Sequence, residues 1–464
     1  MRSAPLPEKK LKLPVGRWNW FPEEARAPVL NGIGGLAQVP ELRKRIVFTL
    51  LMLAVYRIGV QVPTPGIDAA ALASFFSRVE GTLFGLFDMF SGGALKNLSI
   101  LSLGIMPYIS ASIIIQLLTV AIPHLEALKK EGESGRKKIS QYTRYGTVGL
   151  SLIQGLGIAI GLESMTAPGG VPVVTDPGWS FRLISALTLM SGTVFLMWLG
   201  EQITERGVGN GISLIIFAGI VARMPAAIID TFRLIGTGEL NTAFMVFLVV
   251  MMGVVIGFIC FMERSHRRIP INYARRVVGR RVYGGQTTHL PLKVNTAGVI
   301  PPIFASSIIM FPATIANFIQ VPWMQSVAQS LRPGSLIYEV IFVAFIIFFC
   351  YFYTAITFNP SDIAENLKKN GGYIPGIRPG RRSAEYIDKV LSRITLIGAI
   401  YVSVICVLPS ILISKFNVPF YFGGTALLIV VGVGMDTMAQ IESHLITRNY
   451  DGFMKGVKLK ARRG

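Results

Sequence analysis

Only two acidic residues, Glu339 and Asp436, fall inside the long apolar runs of this chain, and both lie close to a run's end. A charge at the bilayer centre costs at least about 2.5 to 3.5 kcal/mol, so ion-coupled carriers reserve such positions for carboxylates or basic groups that do work there. No buried coupling pair is present, which argues against a small-solute or ion-coupled transporter. The three cysteines, Cys260, Cys350 and Cys406, sit in apolar runs and none neighbours another, excluding a disulfide framework or a CxxC redox site. His124, His266, His289 and His444 stand singly in polar connectors with no second ligand at helical spacing, so no dedicated metal site is expected. A nucleophile with its base, a facing carboxylate pair and a phosphate-cradling glycine loop are all missing, and an intramembrane enzyme needs such a pair or metal ligands. The expectation is a non-enzymatic protein with neither cofactor nor metal. What remains polar at membrane depth is neutral: Ser110, Ser112, Gln116, Gln154 and Asn295. Interhelical hydrogen bonds worth about 0.6 kcal/mol each would suit either reversible latches or ordinary structural glue.

The elements that hold these residues are apolar spans. The chain has 464 residues, 52% of them hydrophobic and only 15% charged, with a net charge of +20. Soluble domains carry about 25% charged residues, so a polytopic membrane protein is expected. Ten apolar runs are candidates for spanning helices: Ile46 to Val62, Leu98 to Ile122, Tyr145 to Leu162, Phe181 to Leu199, Val208 to Val221, Ala243 to Met262, Ala297 to Phe318, Ile337 to Phe358, Ile394 to Leu412, and Val418 to Met438. The first and fifth are short, with Arg57 and Arg223 at or just past their ends, where long side chains can snorkel to headgroups. An even number of spans puts both termini on one side. Of the 45 Lys and Arg residues, 37 then lie on the side of the termini and 8 do not, which orients both termini to the cytoplasm. The basic N-terminus is followed by no apolar core until Ile46, unlike a cleaved signal peptide. The chain divides into a cytoplasmic segment 1–45, a first half 46–229, a second half 230–441 and a basic tail 442–464. No stretch outside the spans looks able to bury a core of its own.

An internal repeat relates the two five-span halves. Gly104-Ile105-Met106-Pro107-Tyr108-Ile109-Ser110-Ala111-Ser112-Ile113-Ile114 aligns without gaps to Gly298-Val299-Ile300-Pro301-Pro302-Ile303-Phe304-Ala305-Ser306-Ser307-Ile308. Because each half has an odd number of spans, the halves enter the membrane in opposite senses, as in inverted-repeat transport proteins whose proline-interrupted spans line the path. Chance resemblance between two apolar helices is the competing explanation. Residues Gly81 to Gly93 are apolar but too short to cross. They suit a small re-entrant plug moving on its closing glycines, or a helix lying at the outer interface. The loop from Arg264 to Lys293 carries seven arginines and one lysine without an intervening acid. Arg275-Arg276 and Arg280-Arg281 flank Val277-Val278-Gly279, a pattern expected of a short hairpin. Such a loop would attract an RNA backbone or an acidic protein surface, while anchoring to anionic lipid accounts for basic residues near the membrane. In the connector 359–393, two Pro-Gly pairs around Arg378 present its guanidinium on a stiffened turn, as in a docking loop.

These strings resemble the SecY family, the central subunits of the bacterial protein-conducting translocon. The resemblance runs from about Leu42 to about residue 445 and is carried by Phe90-Ser91-Gly92-Gly93-Ala94-Leu95, Lys130-Glu131-Gly132-Glu133-Ser134-Gly135-Arg136, Gly200-Glu201-Gln202-Ile203-Thr204-Glu205-Arg206-Gly207 and Tyr421-Phe422-Gly423-Gly424-Thr425. It implies an all-α fold of ten transmembrane helices in two inverted, pseudo-symmetric halves with a short re-entrant plug, in the bacterial cytoplasmic membrane. The function implied is passage of unfolded polypeptides, with lateral release of apolar segments between the second and seventh spans. By position in the family's motifs, the pore ring would be Ile105, Ile109, Ile212, Ile216, Ile303 and Ile429. The plug would include Phe84, Phe87, Asp88, Phe90, Ser91, Gly92 and Gly93. The gate would comprise Pro107, Ser110, Pro301 and Phe311, with Gln116, Gln154 and Asn295 as its polar latch. Arg280, Arg281 and Arg378 would dock the ribosome, through its RNA and proteins, or the SecA motor. SecE and SecG would be small membrane partners, alongside signal sequences, nascent chains and anionic lipid. The N-terminal 40 residues exceed the family's length, and Trp18, Trp20 and Phe21 beside Arg17 resemble an interfacial anchor.

Overall fold

The computed structural model describes residues 40–68, 72, 91–163, 172–225, 228, 229, 233, 236, 242–273, 276–278, 281–283, 287–318, 335–416 and 424–456. The N-terminal anchor, the plug residues Phe84, Phe87, Asp88 and Phe90, and Arg280 lie outside them. In chain order the helices are α1 (Pro40–Gly59), α2 (Met106–Ala121), α3 (Pro123–Lys130), α4 (Glu133–Glu163), α5 (Trp179–Arg206), α6 (Gly211–Val221), α7 (Thr242–Arg264), α8 (Ile300–Phe318), α9 (Leu336–Thr357), α10 (Pro360–Lys369), α11 (Arg381–Phe416) and α12 (Gly424–Gly456). Each of the ten apolar runs is met by one of them, α3 and α10 being additional. Among the described residues six helices are long and apolar enough to cross a membrane, and a seventh if α2 and α3 count as one span bent by 99°. Helix α6 and the first part of α8 are shorter apolar helices.

Local chemistry sets the helix starts. Asn210 caps α6 by accepting from the backbone N–H groups of Ile212 and Ser213, Ser335 caps α9 from Tyr338, and Asn359 caps α10 from Ser361. The prolines of the internal repeat do not interrupt their spans, contrary to the sequence expectation. Pro107 falls in the first turn of α2 and Pro301 in that of α8. A first-turn proline forfeits only an N–H that has no helical partner, so it starts a helix instead of breaking one. The repeat's leading glycines, Gly104 and Gly298, both take positive φ, 58° and 65°, just before those helices. The repeat therefore has the same backbone role in both halves, and residues 98–105 form turns ahead of α2.

Packing joins α4 to α5 and α2 within the first five spans, and α9 to α8 and α11 within the second five. The two groups meet on two sides. Helix α8 packs against α2 and α4, and α12 packs against α6. At the second junction the Gly209 N–H donates to Gln440 Oε1 at 3.1 Å.

A small β-structure accompanies the all-α plan, and only its central hairpin was expected from the sequence. Strand β1 (His266–Tyr273) pairs antiparallel with β4 (Thr287–Lys293), running from His266↔Lys293 to Asn272↔Thr287. Strand β5 (Gly372–Tyr373) extends the sheet on the other edge of β1. Between them β2 (Arg276–Val278) and β3 (Arg281–Tyr283) form the anticipated hairpin, with Val278 opposite Arg281. Ile269 and Leu292 of this sheet are buried with Ile374, Ile387 and Ile394, and Phe358, Ile363 and Leu367 pack around them. Polar connectors outside the spans do therefore bury a core, because three separate segments each contribute one or two apolar side chains.

Candidate functional site

Five of the six isoleucines expected to form the ring are between 1% and 8% exposed: Ile105, Ile109, Ile216, Ile303 and Ile429. Ile212 is partly buried and packs on the same apolar cluster, so one contiguous cluster contains all six. They arrive from the residue before α2, from α2, from α6, from α8 and from α12, which are the helices that meet at the two junctions between halves. Leu199, Ile203, Ile215 and Ala305 pack in that cluster with them. Isoleucine offers an ion no ligand, so a closed ring of such side chains would exclude ions by dewetting and stay soft enough to yield.

Directly beside this cluster lie the three described residues of the plug string. Ser91 is buried, and its carbonyl accepts from the Tyr56 hydroxyl at 3.1 Å. The Gly92 carbonyl accepts from Arg57 Nη1 at 2.9 Å. Arg57, near the end of an apolar run where a long side chain can reach headgroups, here donates to this turn. Gly92 and Gly93 have φ values of 69° and 90°, in the left-handed region that disfavours side chains. A β-carbon at Gly92 would lie 2.7 Å from Gly219 Cα of α6 and 2.7 Å from the Tyr56 hydroxyl, whereas one at Gly93 would meet nothing. The glycine pair thus serves as a seated turn, with Gly92 pressed backbone to backbone on α6.

The gate residues divide. Pro107 and Pro301 are buried and Ser110 is half-buried at the start of α2 and α8, the pair in contact across the junction. Phe311 lies within α8. The three amides expected to act as a single latch do not bond to one another. Gln116 donates to Ser112 Oγ at 3.4 Å, one turn back on its own helix. Gln154 Oε1 is buried without a hydrogen-bond partner. Asn295 is buried and donates both amide hydrogens, to Glu263 Oε1 at 2.6 Å and to the Gly298 carbonyl at 3.2 Å. Glu263, at the end of α7, was not anticipated. Thirty-two residues separate it from Asn295, and nothing in the local pattern pairs them.

Arg267 and Arg268 on β1 are exposed, and Arg281 lies on β3. Arg378 is exposed on a turn whose Gly376 and Gly380 have φ of 80° and 108°, and its carbonyl accepts from Ser383 Oγ at 3.0 Å. That bond anchors the turn to the first residues of α11 and leaves the guanidinium outward. Elsewhere Arg144 Nε donates to Glu201 Oε1 at 2.8 Å, tying α4 to α5. Of the acids read inside spans, Glu339 accepts a hydrogen bond from Ser410 on α11.

Comparison with known proteins bears on this arrangement. The family model named SecY matches residues 99–438. The protein translocase subunit SecY of Escherichia coli is 53% identical over 440 residues, covering 94% of this chain and 99% of that protein. Among solved structures, one described as the structure of a protein conducting channel superposes with a TM-score of 0.62 at 16% identity, covering 89% of this chain and 97% of the other. Sec61 in a canine ribosome-channel complex from the endoplasmic reticulum gives a TM-score of 0.58 at 14% identity, covering 89% and 97%.

Proposed function

The chain belongs to the SecY family, and from that premise we propose how it acts as the pore-forming subunit of a protein translocase. It is a multi-pass membrane protein that conducts polypeptide and catalyses no reaction of its own. The observation that supports the mechanism is that the six isoleucines, drawn from both halves, all belong to one apolar cluster. In the resting state those side chains fill the passage, and the segment 81–93 covers it on the side away from the cytoplasm. The turn at Gly92 seats that plug on α6.

Opening separates α8 from α2 while the α6–α12 junction acts as the hinge. A signal sequence drives this by itself: its apolar core gains when it leaves the pore for lipid, so binding shifts the population between two packings of the same helices. The lateral gate comprises Pro107, Ser110, Gln116 and Gln154 on the first half and Asn295, Pro301 and Phe311 on the second. Force comes from outside the chain, from a motor such as SecA or from chain elongation on a ribosome. Arg280, Arg281 and Arg378 dock these partners on the cytoplasmic face. SecE and SecG accompany the subunit in the bacterial cytoplasmic membrane, with both termini in the cytoplasm, the 37 to 8 bias of basic residues supporting that orientation. Deleting residues 81–93 tests the plug. Vesicles containing that variant should leak ions, and a tight vesicle with normal polypeptide export would refute a plugged central pore.

A further inference from the structure

We propose that Glu263 is a positioning residue of the lateral gate, closing the last rung of the β1–β4 ribbon and thereby tying the start of α8 to the cytoplasmic docking arm. This rests on the reading of α2 and α8 as the gate.

The ribbon and the helices behind it form one continuous ladder. The register of β1 and β4 ends at His266↔Lys293. The Val294 N–H then donates to the Ser265 carbonyl at 3.0 Å, one step beyond the strands. At the following step the rung is made by side chains: Asn295 Nδ2 donates to Glu263 Oε1 at 2.6 Å, joining the end of α7 to the segment before α8. The second hydrogen of the same amide reaches the Gly298 carbonyl at 3.2 Å, so Asn295 also fixes the left-handed turn from which α8 departs. The turn has little room to slide, because a β-carbon on Gly398 of α11 would lie only 2.7 Å from the Val294 carbonyl oxygen. Two residues after Gly298 comes Ile300, the first residue of α8, and the ring residue Ile303 is three further on.

A displacement of the exposed ribbon therefore reaches α8 by two routes, the covalent chain and the amide bridge. The bridge adds a side-chain link between the end of α7 and the start of α8, beside the backbone rung from Val294 to Ser265. With it intact, ribbon, α7 end and α8 start move as one body. Without it, α8 can tilt from α2 while the ribbon stays still. The carboxyl oxygen of Glu263 is a close acceptor for this amide, at 2.6 Å. Asn295 is buried, so loss of its acceptor leaves a donor without water to replace it.

The test uses the full membrane complex in vesicles, with one cysteine placed in α2 and one in α8 and single-cysteine controls for the native thiols. The readout is the yield of gate-closed crosslink, with and without empty ribosomes bound. Glu263→Ala and Asn295→Ala should each raise the open fraction by about tenfold or more, the double variant should match either single one, and Glu263→Gln should fall between because it keeps a neutral acceptor. Ribosomes should still bind these variants but should change the crosslink yield less than in the unaltered protein. An unchanged yield in Glu263→Ala, or single effects that multiply in the double variant, overturns the proposal. Where Glu263→Ala fails to assemble, Glu263→Gln decides by the same comparison. The readout needs no translocating chain. A failed crosslink of secretory polypeptide to Ile303 would sink the pore reading and leave this coupling standing, while normal polypeptide passage with unaltered gate coupling sinks this inference alone.

Discussion

Replacing Gly92 by alanine, beside the same change at Gly93, isolates how the base of the plug is seated. Both residues hold positive φ, so each alanine costs about 1 to 2 kcal/mol of backbone strain. Only Gly92 faces a second obstacle. Its new methyl would sit 2.7 Å from Gly219 Cα and 2.7 Å from the Tyr56 hydroxyl, whereas at Gly93 nothing lies within 4 Å. The α6 backbone cannot rotate away as a side chain can, and overpacking of this kind costs about 1 to 3 kcal/mol. Relief comes by lifting the turn, which also strains the Arg57 hydrogen bond to the Gly92 carbonyl. At about 1.4 kcal/mol per factor of ten, Gly92→Ala should hold the plug open roughly 5- to 100-fold more than Gly93→Ala does. Halide efflux from vesicles containing each purified variant measures this directly. Equal efflux from the two alanine variants, at equal protein content, would refute the seating of Gly92 on α6.

Other outcomes follow from the same geometry. Replacing Ile303 and Ile429 by asparagine puts amides without partners into the apolar cluster, at about 1 to 3 kcal/mol each. The seal should loosen, giving more ion leak and export of substrates that lack a signal sequence. Arg378→Glu should abolish motor-driven export and leave insertion and thermal stability unchanged, because this exposed side chain is outside every buried cluster. Ile387→Ala should cost about 2 to 5 kcal/mol within the core that the β1–β4 ribbon shares with α11, read as faster protease cleavage of the 264–293 loop in membranes with the spanning helices still intact.

Long apolar runs made the ten helices legible, since the bilayer sets both length and composition. Their limits were less so: α11 begins at Arg381, thirteen residues before the run at Ile394, because a helix continues past the membrane wherever its next turns can pack. The gapless repeat located the starts of α2 and α8, yet the meaning of its prolines depended on whether a turn preceded them, and Gly104 and Gly298 decide that only through their φ angles. The hairpin at Val277-Val278-Gly279 was readable because its signal is local. Strands β1 and β4 were not, as arginines mask the alternation in one and their pairing spans the whole loop. Of the site, the six isoleucines were expected from motif positions, and all six lie in one apolar cluster. The contacts of Tyr56 and Arg57 with the glycine turn, and of Glu263 with Asn295, join residues more than thirty positions apart and exist only after folding.

Site-specific photocrosslinking from Ile303 to a secretory chain arrested midway through export tests the central pore most directly. Crosslinks at Ile303, and none from an exposed position on α7 such as Val254, are the predicted result. Continued export with no crosslink at Ile303 would contradict the account and return the six isoleucines to ordinary helix packing.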